Sequence, residues 1–204
     1  NEHPTQALLD LYTISKELES HGATLDGMHI AMIGDLRHGR TVHSLSKLLC
    51  LFNNIRFTLI SPKELAMPDY IVDAITNAGH HVVITDSLEG QFDADICYQT
   101  RIQEERFPSQ DEANKYRGKF RLDQAIYTRH FKSKTVIMHP LPRDSRADAN
   151  ELDNDLNNNP NLAIFRQTDN GVLVRMALFA LILGVENKLK QYEHDVPWYV
   201  AHKD

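Results

Sequence analysis

Three short segments carry side chains that could hold or polarise an anion. "GDLRHGRTVHSL" (34–45) places Arg37, His38, Arg40 and His43 beside Gly34 and Gly39. "TRIQEER" (100–106) carries Arg101 and Arg106 among carboxylates, and "HPLPR" (139–143) ends a segment stiffened by two prolines. A guanidinium offers two parallel N–H donors that match a carboxylate or a phosphate, which lysine cannot imitate. Backbone groups in a Pro-restricted turn can be held at fixed angles to a ligand. The implied chemistry is recognition of an anion by Arg37 or Arg40, by Arg101 or Arg106, and by the backbone of Pro140–Arg143. For the first segment alone, the competing reading is structural: the glycines let a strand turn into a helix, and the arginines are solvated.

Other chemistries fit less well. The dinucleotide fingerprint needs G-x-G-x-x-G, and the second glycine is missing from "GDLRHGR". No Gly-Lys-Ser/Thr follows, so a P-loop also fails. No CxxC or HExxH spacing marks a metal site, and no cofactor is implied. Cys50 and Cys97 sit in apolar segments and read as buried free thiols of a reducing, cytoplasmic compartment. The net charge of −6 lacks the basic face of a nucleic-acid binder. The longest apolar run, "MALFALILGV", is about half the length of a membrane span. The chain opens on "NEHPTQ" without an initiator methionine, which reads as a piece of something longer or a processed product.

The elements that must position these segments alternate in type. "HPTQALLDLYTISKELESHG" reads as a helix, with Pro4 in its first turn and Gly22 as its stop. Strands are expected at 28–34, 56–61, 80–86, 95–100 and 134–140, with a short sixth at "LAIFRQ" (162–167). Helices are expected from Arg40 to Phe52, over 67–79, from Leu122 to Phe131, and from Gly171 to Lys190 with Asn170 as N-cap. The regions 101–120 and 143–160 are polar excursions, and the tail from 191 reads as loose. Near-continuous apolar strands between helices imply a doubly wound α/β domain, a mainly parallel sheet covered on both faces. In such a fold ligands bind beyond the carboxyl ends of the strands, where all three arginine-bearing segments emerge.

Taken together, "HPTQALLDLYTI", "GDLRHGRTVHSL", "TRIQEER", "HPLPR" and "NGVLVRMALFAL" resemble, in order and spacing, the second half of the catalytic chains of the aspartate carbamoyltransferase family. The related ornithine enzymes share the first motif, resemble the chain less at "TRIQEER", and carry a cysteine where this chain has Leu141. The resemblance implies a Rossmann-like aspartate-binding domain over 22–169. It also implies an interdomain connecting helix over 1–21, a second interdomain helix over 170–190 and a tail over 191–204. The family's carbamoyl-phosphate domain, with its Ser-x-Arg-Thr motif and the mobile loop carrying a lysine, has no counterpart here.

The family transfers the carbamoyl group of carbamoyl phosphate to the α-amine of L-aspartate, in pyrimidine (UMP) biosynthesis, with no metal. By resemblance Arg40 grips the α-carboxylate and Arg101 the β-carboxylate, with Gln103 beside it and Glu105 orienting Arg101. His3, otherwise a bystander near a chain end, matches the histidine that polarises the carbamoyl carbonyl. Gln6, with Thr5 as a lesser candidate, matches a contact to carbamoyl phosphate. Pro140 and Leu141 match backbone acceptors of the carbamoyl NH2, and Leu141 and Pro142 also face aspartate. Residues 103–120 match a loop that closes over aspartate. The resemblance implies a homo-oligomer, a trimer, for the full-length enzyme and near-silence for these residues alone. A non-catalytic carbamoyltransferase-like binding module and a nucleotide-binding Rossmann domain are the alternatives.

Overall fold

The computed structural model describes residues 2–146 and 148–192; the expected tail beyond residue 192 lies outside them. In chain order the elements are α1 (Pro4–Ser20), β1 (His29–Ile33), α2 (Arg40–Leu49), β2 (Arg56–Ile60), α3 (Asp69–Asn77) and β3 (His81–Thr85). They continue with β4 (Ile96–Gln99), α4 (Gln110–Asn114), α5 (Gln124–His130), β5 (Val136–Met138) and α6 (Ile164–Ile182). The five strands form one parallel sheet in the order β3-β2-β1-β4-β5. β1 is central and its neighbours β2 and β4 are reached in opposite directions, so the switch point lies between β1 and β4.

Every residue of β1, β4 and β5 is buried, which is why these runs are apolar throughout rather than alternating. One face of the sheet, through Ile30, Met32, Phe57, Leu59, Ile96 and Tyr98, meets Ile14, Leu18, Val42, Leu45, Leu49, Ile71 and Ile75 of α1, α2 and α3. The other face, through Ala31, Ile33, Ile60, Cys97 and Ile137, meets Tyr127 of α5, Phe131, Leu152, Leu156 and the start of α6. Both faces are therefore covered. β3 is the exception: it is an edge strand with Val83 and Ile84 exposed.

Two sequence expectations need correction. "LAIFRQ" is not a strand. Leu162 makes one bridge to Ile137, Ala163 N–H donates to the Ile137 carbonyl at 2.8 Å, and the chain then turns into α6 at Ile164. Leu162 and Ile164 enter the second core and Ala163 the main one, a tertiary demand that looks like a strand in sequence. α6 consequently starts before Gly171, and Asn170 is not its cap but an interior residue whose Nδ2 donates to Thr13 Oγ1 at 3.0 Å. The helix also stops at Ile182 rather than Lys190. Gly184 takes a φ of +63°, and the Val185 N–H reaches back to the Ala180 carbonyl at 2.9 Å, a glycine-type C-terminal cap. Residues Glu186–Tyr192 continue as 3-10 helix. No helix among the described residues is long and apolar enough to cross a membrane. Cys50 and Cys97 are both free thiols.

Candidate functional site

A cleft of about 220 Å3 opens at the switch point, beyond the carboxyl ends of β1, β4 and β5. It is lined by His3 and Gln6 from the start of α1, Gly39, Arg40 and Thr41 from α2, Thr100, Arg101 and Gln103 after β4, and His139–Pro142 after β5. Of the residues singled out in sequence, the fold thus brings together His3, Gln6, Arg40, Arg101, Gln103, Pro140, Leu141 and Pro142. Thr5 lies outside this lining, and Glu105 reaches the cleft only through Arg101. Arg37 and Arg106 line a separate cavity with Phe107 and Tyr116.

The first wall is built on the N-terminus of α2. At Gly34 the chain turns with φ +112°, and a Cβ there would stand 2.3 Å from the Thr100 carbonyl oxygen. Only glycine lets the loop after β1 cross the end of β4 so closely. Gly39 caps α2, and Arg40, its first residue, projects exposed where the helix N-terminus favours negative charge. The fully buried Asp35 accepts from the His38 N–H at 3.0 Å and from the Gln103 N–H at 3.3 Å, tying the loops after β1 and β4 together.

His3 precedes α1, and its backbone N–H donates to Ser44 Oγ at 2.8 Å, which seats the residue against α2. Burial lowers its pKa, and the charges of Arg40 and Arg175 lower it further. The imidazole is held neutral, able to donate one N–H without adding a charge. Beneath it, Asp10 is buried and accepts from Gln6 Nε2 at 2.9 Å, Gln167 Nε2 at 2.6 Å and the Tyr98 hydroxyl at 2.6 Å. Desolvation raises its carboxyl to about 6, partly offset by those three donors. Gln167 Oε1 also accepts from the His139 N–H at 3.0 Å, so one buried network seats Gln6 and the turn after β5. Sequence reasoning missed Asp10 and Gln167; a carboxylate among leucines in α1 was the available signal.

The second wall is ionic. Arg101 forms a two-pronged pair with Glu105, at 3.1 and 2.5 Å, which raises the pKa of the guanidinium and lowers that of the carboxyl. The turn after β5 is fixed by its histidine: His139 Nδ1 accepts from the Leu141 N–H at 2.8 Å, placing the ring proton on Nε2, which lies 2.7 Å from Glu151 Oε1. Leu141 takes a left-handed φ of +52°, followed by a cis bond to Pro142, and this bend aligns Pro140–Pro142 along the cleft. No group of three or more metal-ligating side chains occurs among the described residues.

The arrangement can bind a small molecule with two negative ends, Arg40 at one and Arg101 at the other, and polarise a neutral acceptor between them. A family model described as aspartate/ornithine carbamoyltransferase, Asp/Orn binding domain, matches residues 26–182. The chain is 69% identical over 200 residues to the aspartate carbamoyltransferase catalytic subunit of Cellvibrio japonicus, covering 98% of this chain and 59% of that relative. Its fold is similar to the catalytic subunit of M. jannaschii aspartate transcarbamoylase, with TM-score 0.78, 39% identity and coverage of 92% and 57%. It is also similar to the Trypanosoma cruzi aspartate transcarbamoylase in complex with carbamoyl phosphate and aspartate, with TM-score 0.76, 38% identity and coverage of 88% and 56%. The chain therefore spans 59% of the length of the first relative.

Proposed function

The chain belongs to the aspartate/ornithine carbamoyltransferase family through its Asp/Orn-binding domain, and on that premise we propose that it forms the aspartate-binding part of an aspartate carbamoyltransferase. The observation that carries this reading is the pair of arginines, Arg40 and Arg101, delivered from two different loops to one cleft with a neutral His3 beside them. L-Aspartate is the anion. Arg40 takes its α-carboxylate and Arg101 its β-carboxylate, with Glu105 and Gln103 orienting that end. Leu141 and Pro142 close the cleft on the aspartate side.

The α-amine then attacks the carbonyl carbon of carbamoyl phosphate. A C–N bond forms, the C–O bond to the phosphate breaks, the departing phosphate takes up the proton the amine loses, and N-carbamoyl-L-aspartate and phosphate leave. His3 donates its N–H to the carbonyl oxygen as charge develops there, and the Pro140 and Leu141 carbonyls accept from the carbamoyl NH2. Gln6, and Thr5 more distantly, serve the same substrate. Catalysis consists of positioning two anions against their mutual repulsion and stabilising a tetrahedral oxyanion. The product belongs to pyrimidine biosynthesis.

Phosphate ligands come, in this reading, from a domain outside these residues, and the complete enzyme is a homo-oligomer. α6 supports a docking role: Val172, Leu173, Met176, Phe179 and Ile182 are all exposed, with Met176 at 63% and Phe179 at 66%. Apolar exposure on this scale marks an interaction surface. Calorimetry on the 204 residues tests the reading. Weak heats with L-aspartate and with a phosphonoacetyl-aspartate bisubstrate compound, none with NAD, and turnover only when the carbamoyl-phosphate domain is supplied are the expected results. Binding of NAD without aspartate would overturn it.

A further inference from the structure

The side chain of Glu104 is only 15% exposed and carries more hydrogen bonds than a surface carboxylate needs. Arg117 approaches it with Nε at 3.0 Å and Nη2 at 3.1 Å. Arg146 approaches with Nη1 at 3.1 Å and Nη2 at 2.8 Å, and Gln110 Nε2 adds a fifth donor at 3.1 Å. Two forked guanidinium contacts on one carboxylate is a geometry that fixes direction as well as distance. Glu104 stands at the start of the 103–120 segment, and its partners come from the middle of that segment, its far end and the loop after β5.

The contacts continue from there to two parts of the second wall, the turn after β5 and Arg101. Arg146 also grips Asp144, with Nε at 3.0 Å from Oδ1. The Asp144 N–H donates to Glu151 at 3.2 Å, Glu151 faces His139, and His139 accepts from the Leu141 N–H. On the other side, Glu104 is flanked in sequence by Gln103, which lines the cleft, and by Glu105, which holds Arg101. The cluster thus reaches toward the Leu141 turn on one side and adjoins Arg101 on the other through the neighbouring residues Gln103 and Glu105, without passing through the cleft itself.

We propose that Glu104, clamped by Arg117 and Arg146, is a positioning residue that latches the 103–120 segment to the loop after β5 and so sets the spacing between Arg101 and the Pro140–Pro142 turn. The two arginines hold the Glu104 carboxyl at about 2, so the latch stays charged across the range in which the enzyme works and is not a pH switch. Its action falls chiefly on aspartate, whose β-carboxylate needs Arg101 in place; carbamoyl phosphate keeps His3 and Gln6 on the other wall and meets the latched loop only through the Pro140 and Leu141 carbonyls. This inference rests on the reading of the cleft given under Proposed function.

The test uses the full catalytic chain that carries these residues. Glu104→Gln and Arg146→Gln are expected each to raise the KM for aspartate fivefold or more. The KM for carbamoyl phosphate and kcat should change less than twofold, and the double variant should be no worse than the poorer single one. Trypsin cleavage at Arg106 and Lys115 should quicken in both variants. A uniform fall in kcat, additive single effects, or an unchanged aspartate KM overturns the latch. Arg101→Ala separates the two ideas: if it leaves the aspartate KM unchanged, the reading of the cleft fails, whereas a large effect there with a silent Glu104→Gln condemns the latch alone.

Discussion

The two walls of the cleft are held by different forces. His3, Gln6 and Arg40 stand on α1 and α2, whose inner faces are sealed in the main core and whose one buried carboxylate, Asp10, is satisfied by neutral donors. Arg101 and Gln103 stand on a polar segment with little apolar anchorage, located by pairs such as Arg101–Glu105 and Glu104–Arg117. Hydrophobic burial and a dry hydrogen-bond network give a wall that salt does not touch. Partly exposed ion pairs, from Arg101–Glu105 at 34% and 53% to Arg117–Glu104 at 22% and 15%, give one that salt weakens and that can re-form around a ligand. Under the function proposed above, a site that admits a dianion and then encloses it is served by one fixed wall and one adjustable wall.

The sharpest way to break this comparison is at the arginines, one on each wall. Arg40→Ala and Arg101→Ala should each lower kcat/KM for aspartate by about 100-fold or more in the full enzyme, since each removes a charge-assisted, two-pronged contact worth roughly 3 kcal/mol. Arg101→Lys should recover little, because a point charge cannot match the fork. Steady-state kinetics with varied aspartate decides.

Gly34, where the walls meet, comes next. Gly34→Ala forces a Cβ against the Thr100 carbonyl at a backbone angle L-residues avoid, and should cost about 3 kcal/mol in urea unfolding. A cost under about 1 kcal/mol would show that the loops can part freely.

Asp10 tests the fixed wall. Its carboxyl rises from an ordinary 3.8 to about 6 on folding, so the folded chain binds a proton that the unfolded chain has already released over that interval. Its favourable contribution is complete below pH 3.8 and falls by about 3 kcal/mol as pH climbs through 6. Asp10→Asn should therefore stabilise the protein at pH 7.5, by up to that amount, and have little effect at pH 4. Equal effects at both pH values would remove the carboxylate from the account.

The smallest effect should come from salt. Raising the ionic strength from about 0.05 to 0.5 M should speed proteolysis within 103–120 about two- to fivefold while leaving amide exchange in α1 unchanged. A parallel change in both would erase the distinction between the walls.

Much of this molecule was readable from its residues. Continuous apolar strands and stop signals such as Gly22 gave the parallel sheet and most helix limits, because those signals act over a few neighbouring residues. The misreadings arose where tertiary packing overrode local pattern. "LAIFRQ" has a strand's composition but folds as a helix start, with Leu162 and Ile164 buried in the second core and Phe165 left exposed. Asn170 looks like a cap but spends its amide on Thr13 of α1.

For the site, the sequence by itself determined the ingredients: arginines at strand ends, a Pro-restricted turn, and a glycine where the chain must bend. Spacing could not choose between Arg37 and Arg40 or between Arg101 and Arg106, since either member of each pair leaves its strand in nearly the same place. Only the three-dimensional arrangement separates them, turning Arg40 and Arg101 into one cleft and Arg37 and Arg106 into another. The Asp10 network and the Glu104 latch likewise join residues far apart in the chain. Their partners are selected by how helices and loops pack across the sheet, which no local sequence rule encodes.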